Sequence, residues 1–128
     1  MKDMYSNVEA VQVLAPAVLA ATDTASALDL QGFNSATVIV ETGAIAVSGD
    51  FTAKLQESDT TTSGDFTDVA AGDLLGTFPA SLAADSTVKV GYVGAKRYIR
   101  TVTTKNSGTS IATSITLLKG HPTDAPVA

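Results

Sequence analysis

Two neighbouring segments, SATVIVETG (35–43) and GDFTAKLQESD (49–59), limit the possible fold more than any other feature of the chain. The first holds three consecutive β-branched apolar residues, Val38 to Val40, and predicts a central strand. The second alternates, with Phe51, Ala53 and Leu55 on one face and Thr52, Lys54 and Gln56 on the other. A period of two means that one face meets a core and the other meets water. Segments of this kind recur with turn-rich punctuation between them, and none presents a convincing helix. The pattern is that of an antiparallel sandwich or barrel.

The remaining segments fill in this outline. EAVQVLAP (9–16) sets Val11, Val13 and Ala15 against Gln12 and Leu14, with Pro16 closing the strand. ASALDLQGF (25–33) opposes Ala27, Asp29 and Gln31 to Leu28 and Leu30, with Gly32 as a break. SDTTTSGDFTDVA (58–70) reads as a reversal, after which Phe66 and Val69 begin a return strand. GDLLGTFPASLAADS (72–86) reads as a crossing connection with a short helical turn. TVKVGYVGAKRYIRTVTT (87–104) predicts two strands joined at VGAK, the first alternating Val88, Val90 and Tyr92 with Lys89 and Gly91. In SIATSITLLKG (110–120), Ile111 and Ile115 compete with Thr113 and Leu117 for the core face. The expected fold is all-β: an antiparallel β-sandwich of about eight short strands, with a jelly roll among its candidate topologies. Residues 1–8 read as an N-terminal arm, 9–120 as the sandwich domain and 121–128, HPTDAPVA, as an extended tail. No repeat of solenoid or propeller length is visible.

Bulk properties narrow the function classes. The 128 residues suit one domain with a sizeable core. Thirteen acidic against eight basic residues give a formal net charge of -5, which argues against a nucleic-acid binder. The absence of cysteine excludes disulfides and thiol chemistry. VLAPAVLAA near the start imitates the core of a signal peptide. Its single Lys2 is offset by Asp3 and Glu9, and Pro16 interrupts a run too short to span a membrane. A first strand is the preferred reading there, with no membrane association.

No constellation declares an enzyme. The one histidine, His121, lies beside Pro122 and reads as a solvated or contact residue. Acidic residues gather at Asp50, Glu57, Asp59, Asp65 and Asp68, but DTTTSGD lacks the spacing of an EF-hand loop. Turn-forming residues of a hairpin account for them better. Glycosidase chemistry needs two placed carboxylates, and no spacing here selects a pair. The glycines form no phosphate-binding loop. The sequence is therefore expected to hold no catalytic residue, no metal and no cofactor.

VGYVGAKRYIRTVTTK (90–105) concentrates four of the eight basic residues and two of the three tyrosines. On a strand, Lys96, Tyr98, Arg100 and Val102 separate from Arg97, Ile99, Thr101 and Thr103, so both faces are mixed. A stacking surface for single strands needs more aromatics and a larger basic patch than this. Arg97 and Arg100 are instead expected to pair with carboxylates on the sheet surface, with an aromatic packed beneath.

Two resemblances bear on function. LQESDTTTSGDFTDV followed by KRYIRTVTT resembles discoidin-like, galactose-binding jelly rolls, which implies sugar or lipid-headgroup recognition at loops. More of the chain, about residues 8 to 128, resembles small β-sandwich virion proteins of tailed bacteriophages and prophages. LQESD, FTDVAAGDLLGT, VKVGYVGAKRYIRTVTT and the terminal GHP and APVA carry that likeness. It implies a capsid decoration or cement protein, made in the bacterial host cytoplasm and bound to the major capsid protein on the capsid surface. Self-association as a homotrimer or other ring goes with that role, and a tail or head-tail joining component is the alternative within the virion. Termini make natural contact arms, so Met1, Met4, Tyr5, His121 and Pro122 are the expected partner contacts.

Overall fold

The computed structural model describes residues 3–124. Ten strands form two antiparallel sheets: β1 (Val8–Leu19), β2 (Asp23–Thr24), β3 (Leu28–Asp29), β4 (Phe33–Ala46), β5 (Asp50–Ser58), β6 (Thr67–Asp68), β7 (Leu74–Leu75), β8 (Thr87–Tyr92), β9 (Tyr98–Ser107) and β10 (Ser110–Pro122). Sheet A has the order β1-β10-β4-β8-β7; sheet B has β2-β9-β5-β6, with β3 also pairing with β9. With β2 and β3 read as one interrupted strand, this is the double Greek key of a jelly roll, to which β7 adds a short edge. The two sheets face each other across a core supplied by Ala36, Val38 and Val40 of β4, Ile111, Ile115 and Leu117 of β10, Phe51, Ala53 and Leu55 of β5, and Ile99 of β9. Complete burial of side chains such as Phe51 and Leu117 contributes about 2–3 kcal/mol each.

Both segments that defined the reading lie where alternation put them. β4 is the middle strand of sheet A, and Phe51, Ala53 and Leu55 are buried. Four other expectations change. Pro16 does not end the first strand, which runs on to Leu19. β1 lies at the edge of its sheet, so the missing N–H of Pro16 need not break a ladder, and register shifts at Gln12/Leu14 and Leu14/Ala17 absorb the ring. VGAK does not join a hairpin: β8 pairs with β4 and β7, β9 with β5, and the link carries the chain from sheet A to sheet B. Ile111, Thr113, Ile115 and Leu117 do not compete, because all four have the same parity and all are buried. Finally, β10 continues through His121 to Pro122, opposite Phe33, two residues into the segment expected to be a tail.

The segment read as a crossing connection is fastened to both sheets. It opens with a 3-10 turn at Ala71–Asp73. Leu82, 3% exposed, enters the core while its N–H donates to the Phe51 carbonyl at 2.8 Å. Thr52 Oγ1 donates to the Ala80 carbonyl at 2.9 Å, and Asp85 N–H to that of Gly43 at 3.0 Å.

Two sheet-to-sheet turns meet at the far end of the sandwich. The β4–β5 turn places Val47 and Ser48 at φ 48° and 55°, and the β9–β10 turn places Gly108 at φ 77°. A β-branched residue in the left-handed region carries a cost of about 1–2 kcal/mol, and Val47 is 77% exposed, so its side chain recovers little by packing. Val47→Gly is therefore expected to raise unfolding free energy by about 1 kcal/mol in urea titrations. An unchanged or lowered value would mean that the turn is not strained.

Candidate functional site

The terminal segments proposed as contacts are brought together. A 3-10 turn at Tyr5–Asn7 packs against β10, and Val8 is the register partner of Gly120. Met4 is 69% and Tyr5 87% exposed. Beside them a shallow groove of about 560 Å³ runs between Asn7 and Val8 on one side and Ser35 and Thr37 on the other, closed at its end by His121 and Pro122. Gly120 helps to keep the groove open, since a side chain there would press on Ser35 Oγ. Ser35 Oγ lies 2.8 Å from His121 Nδ1 and holds the imidazole at the rim. Of the five residues expected to form contacts, Met4, Tyr5, His121 and Pro122 share this end of sheet A, while Met1 lies outside the described residues.

A second cavity was not anticipated. A cleft of about 440 Å³ opens between the β3–β4 turn, including Gln31, Phe33 and Asn34, and the β8–β9 crossover from Tyr92 to Arg97. The sequence carries a trace of it in the glycines of VGYVG. A Cβ on Gly94 would lie 2.5 Å from the Tyr92 hydroxyl, so only glycine lets the crossover fold back over that ring. The crossover is tied down by main-chain bonds, Val93 N–H to the Asp73 carbonyl at 2.8 Å and Leu30 N–H to that of Arg97 at 2.9 Å. Nothing local in the sequence pairs Arg97 with Asp29, 68 positions away.

The charged groups around this cleft are engaged within the chain. Arg97 donates from Nε and Nη2 to the two carboxylate oxygens of Asp29 at 3.0 and 2.9 Å, and Nη2 also reaches Gln31 Oε1. This forked bond, partly offset by desolvation, holds the Asp29 carboxyl at about 2, below the usual range. Lys96 pairs with Asp59 at 2.7 Å. Arg97 thus behaves as expected, with the Tyr98 ring 5.0 Å away. Arg100 departs from expectation: it donates to neutral partners, Gln56 Oε1 at 2.8 Å and Ser63 Oγ at 2.9 Å, and its guanidinium lies 4.3 Å over the Phe66 ring. The carboxylate that serves this region, Asp68, binds Lys54 and Gln56 instead.

The acidic residues named as an alternative calcium set are likewise dispersed. Asp65 accepts from Thr60 Oγ1 at 2.6 Å, Asp59 takes Lys96 and Asp68 takes Lys54. Among the described residues no group of three or more His, Asp or Glu converges on a point where a metal ion could sit. No helix among them is long and apolar enough to cross a membrane.

Tyr92 carries the largest electrostatic perturbation. Its hydroxyl donates to Glu57 Oε1 at 2.7 Å and accepts the Lys96 N–H at 3.0 Å. Burial first, and then the Glu57 carboxylate, push its ionisation well above that of a free phenol. A group whose pKa is raised on folding stabilises the fold fully below its unfolded value, near 10, and loses that contribution as pH rises beyond it. Tyr92→Phe is expected to cost about 2 kcal/mol at neutral pH and to flatten the alkaline loss of stability. Denaturant titrations between pH 8 and 11.5 check this, and an identical alkaline slope in both proteins would refute it.

No protein-family model matches the sequence, and no curated protein matches it significantly. Among solved structures, the crystal structure of PirA aligns at 14% identity over 94% of this chain and 97% of that one, with a TM-score of 0.44. The structure of infectious bursal disease virus, Gx strain, aligns at 14% identity over 93% of this chain and 33% of the viral chain, with a TM-score of 0.45. Likeness at this level assigns neither a family nor a role.

Proposed function

We propose that this chain is a structural protein of a bacteriophage virion, of the capsid decoration type, which binds the outside of the major capsid shell and acts without catalysis. The observation that carries the reading is the exposed apolar pair Met4 and Tyr5 beside the groove at the end of β10. Exposed large side chains next to a preformed concavity favour coverage by a partner, and this end unites segments from both ends of the chain. The jelly roll is an architecture of capsid domains, although it also serves lectins and enzymes. The sequence likeness to small virion proteins of tailed phages supports the first of these.

The test is co-sedimentation of the purified protein with shells assembled from the major capsid protein. Saturable, stoichiometric binding that falls at least tenfold in Met4→Ser/Tyr5→Ser supports the proposal. Binding to isolated tails or head-tail connectors in place of shells would move the protein elsewhere in the virion. A second reading, recognition of a saccharide, is favoured by the 440 Å³ cleft, where Gln31, Asn34 and a charge-compensated Arg97 surround Phe33. Saturable glycan binding without shell binding would select it.

A further inference from the structure

The outer faces of the two sheets differ in kind. On sheet B, Asp68, Lys54, Gln56, Arg100 and Ser63 form a connected set of hydrogen bonds and one ion pair. On sheet A the register lays out rows that run straight across the strands. One is Ala10, Leu118, Thr37, Gly91 and Leu75; the next is Gln12, Thr116, Ile39 and Lys89; a third includes Ser114, Glu41 and Thr87. These positions alternate with the buried Leu117, Val38 and Val90, so they point outward. Leu75, 62% exposed, lies over Gly91, and Val18, 68% exposed, stands at the opposite corner. Of the thirteen acidic and eight basic residues in the chain, these rows hold one of each, Glu41 and Lys89.

We infer that the outer face of sheet A binds a second copy of this chain across a two-fold axis. This goes beyond the capsid contact proposed at Tyr5 and its groove, with which the sheet A face shares a border at Thr37 and Leu118. Electrostatics chooses the occupant. Two chains of net charge -5 repel each other, and they approach most easily through a face that is itself neutral. Glu41 and Lys89 lie on adjacent strands at diagonal positions, both exposed, and form no ion pair with each other. An axis lying in the interface and bisecting the line between them sets each acid over the other copy's base, which is the self-complementarity that an isologous contact requires. Size agrees. Five strands about 4.8 Å apart and seven residues of β10 at about 3.4 Å each give roughly 500 Å² per copy. A pair of copies then buries about 1,000 Å², the scale at which specific interfaces begin, and the projecting Leu75 and Val18 add to it. Thr, Ser, Ala and Ile side chains on a pleated face also suit packing of sheet on sheet.

Sedimentation velocity on the full chain from 1 to 200 µM, in about 50 mM salt, tests the inference. A concentration-dependent dimer is expected, weakened at least tenfold by Glu41→Lys or Lys89→Glu alone and restored by the two together, since reversing both charges recreates the reciprocal pairs. Leu75→Ser provides an uncharged check, with a weakening of at least threefold. Circular dichroism confirms that each variant is folded. A monomer throughout the range, or a dimer indifferent to the single reversals, overturns the inference. The dimer is read without shells and through Glu41, Lys89 and Leu75, whereas shell binding is read through Met4 and Tyr5, which lie outside these rows, so the two proposals fail separately.

Discussion

Gly108→Ala is expected to lower the stability of the protein by about 3 kcal/mol or more, a drop of roughly 10 °C in melting temperature. Two effects combine. Gly108 has φ 77°, in the left-handed region that residues with a side chain rarely adopt. Its missing Cβ is also where the Ser48 carbonyl and the Gly49 Cα already lie. The obstacle is backbone on both sides, so no rotamer change relieves it. Gly49 faces the same situation in reverse, with the Ser110 carbonyl where its Cβ would be. The β4–β5 and β9–β10 turns therefore interlock main chain to main chain. Gly64→Ala is the control, because Gly64 has nothing within 4 Å of its Cβ position and no positive φ; its stability should change by less than about 0.5 kcal/mol. Urea unfolding of the two variants decides the matter, and equal effects would show that the turns do not constrain each other.

The second large effect has the opposite sign. Thr101 and Thr103 point into the core from β9, each 1% exposed, and neither hydroxyl has a hydrogen-bond partner among the described residues. Thr113, on the facing sheet, solves the same problem by donating to the Glu41 carbonyl at 2.8 Å. A buried hydroxyl left unpaired costs about 1–3 kcal/mol relative to an apolar group of the same shape. Valine keeps the β-branched outline and suits a strand. Thr101→Val and Thr103→Val are each expected to gain about 1 kcal/mol, and about 2 kcal/mol together, with Thr113→Val losing stability. The two gains need not add fully, since the residues share a face. Chemical denaturation of the singles and the double provides the check, and a loss in either single would mean that its hydroxyl is satisfied.

What could be read from the sequence follows from what alternation reports. It assigns a residue to a face, and so it placed Phe51, Ala53 and Leu55 inside and marked Val38 to Val40 as a central strand. It does not name a partner strand. That is why VGAK looked like a hairpin turn: β8 and β9 alternate properly, yet each pairs with strands far away in sequence. Pro16 was misleading for a related reason, because proline stops a strand only where its missing N–H is needed, and whether β1 lies at an edge depends on β10. At the candidate site, Met4, Tyr5, His121 and Pro122 were named as contacts because they lie in the terminal segments, and the structure gathers those segments at one end of sheet A. The 440 Å³ cleft was missed because its walls, the Asp29 to Phe33 turn and the Tyr92 to Arg97 crossover, meet only once both sheets exist. The partners of Arg100 were missed because a sequence shows which carboxylates exist and not which amide lies nearer.

The position of β10 has a consequence for biosynthesis. It is the last strand to be made, yet it lies between β1 and β4, pairing Gly120 with Val8 on one side and with Ser35 on the other. Until it arrives, the first strand has no neighbour and β4 presents an unpaired edge of fourteen residues, the longest in the protein. Sheet A can therefore close only after about the first 120 residues have been synthesised, and ordering so distant a contact is slow. The nascent chain passes through an interval in which its longest described strand is open to the edges of other chains. The edge that could template pairing with other chains is thus open during synthesis and covered once β10 is in place.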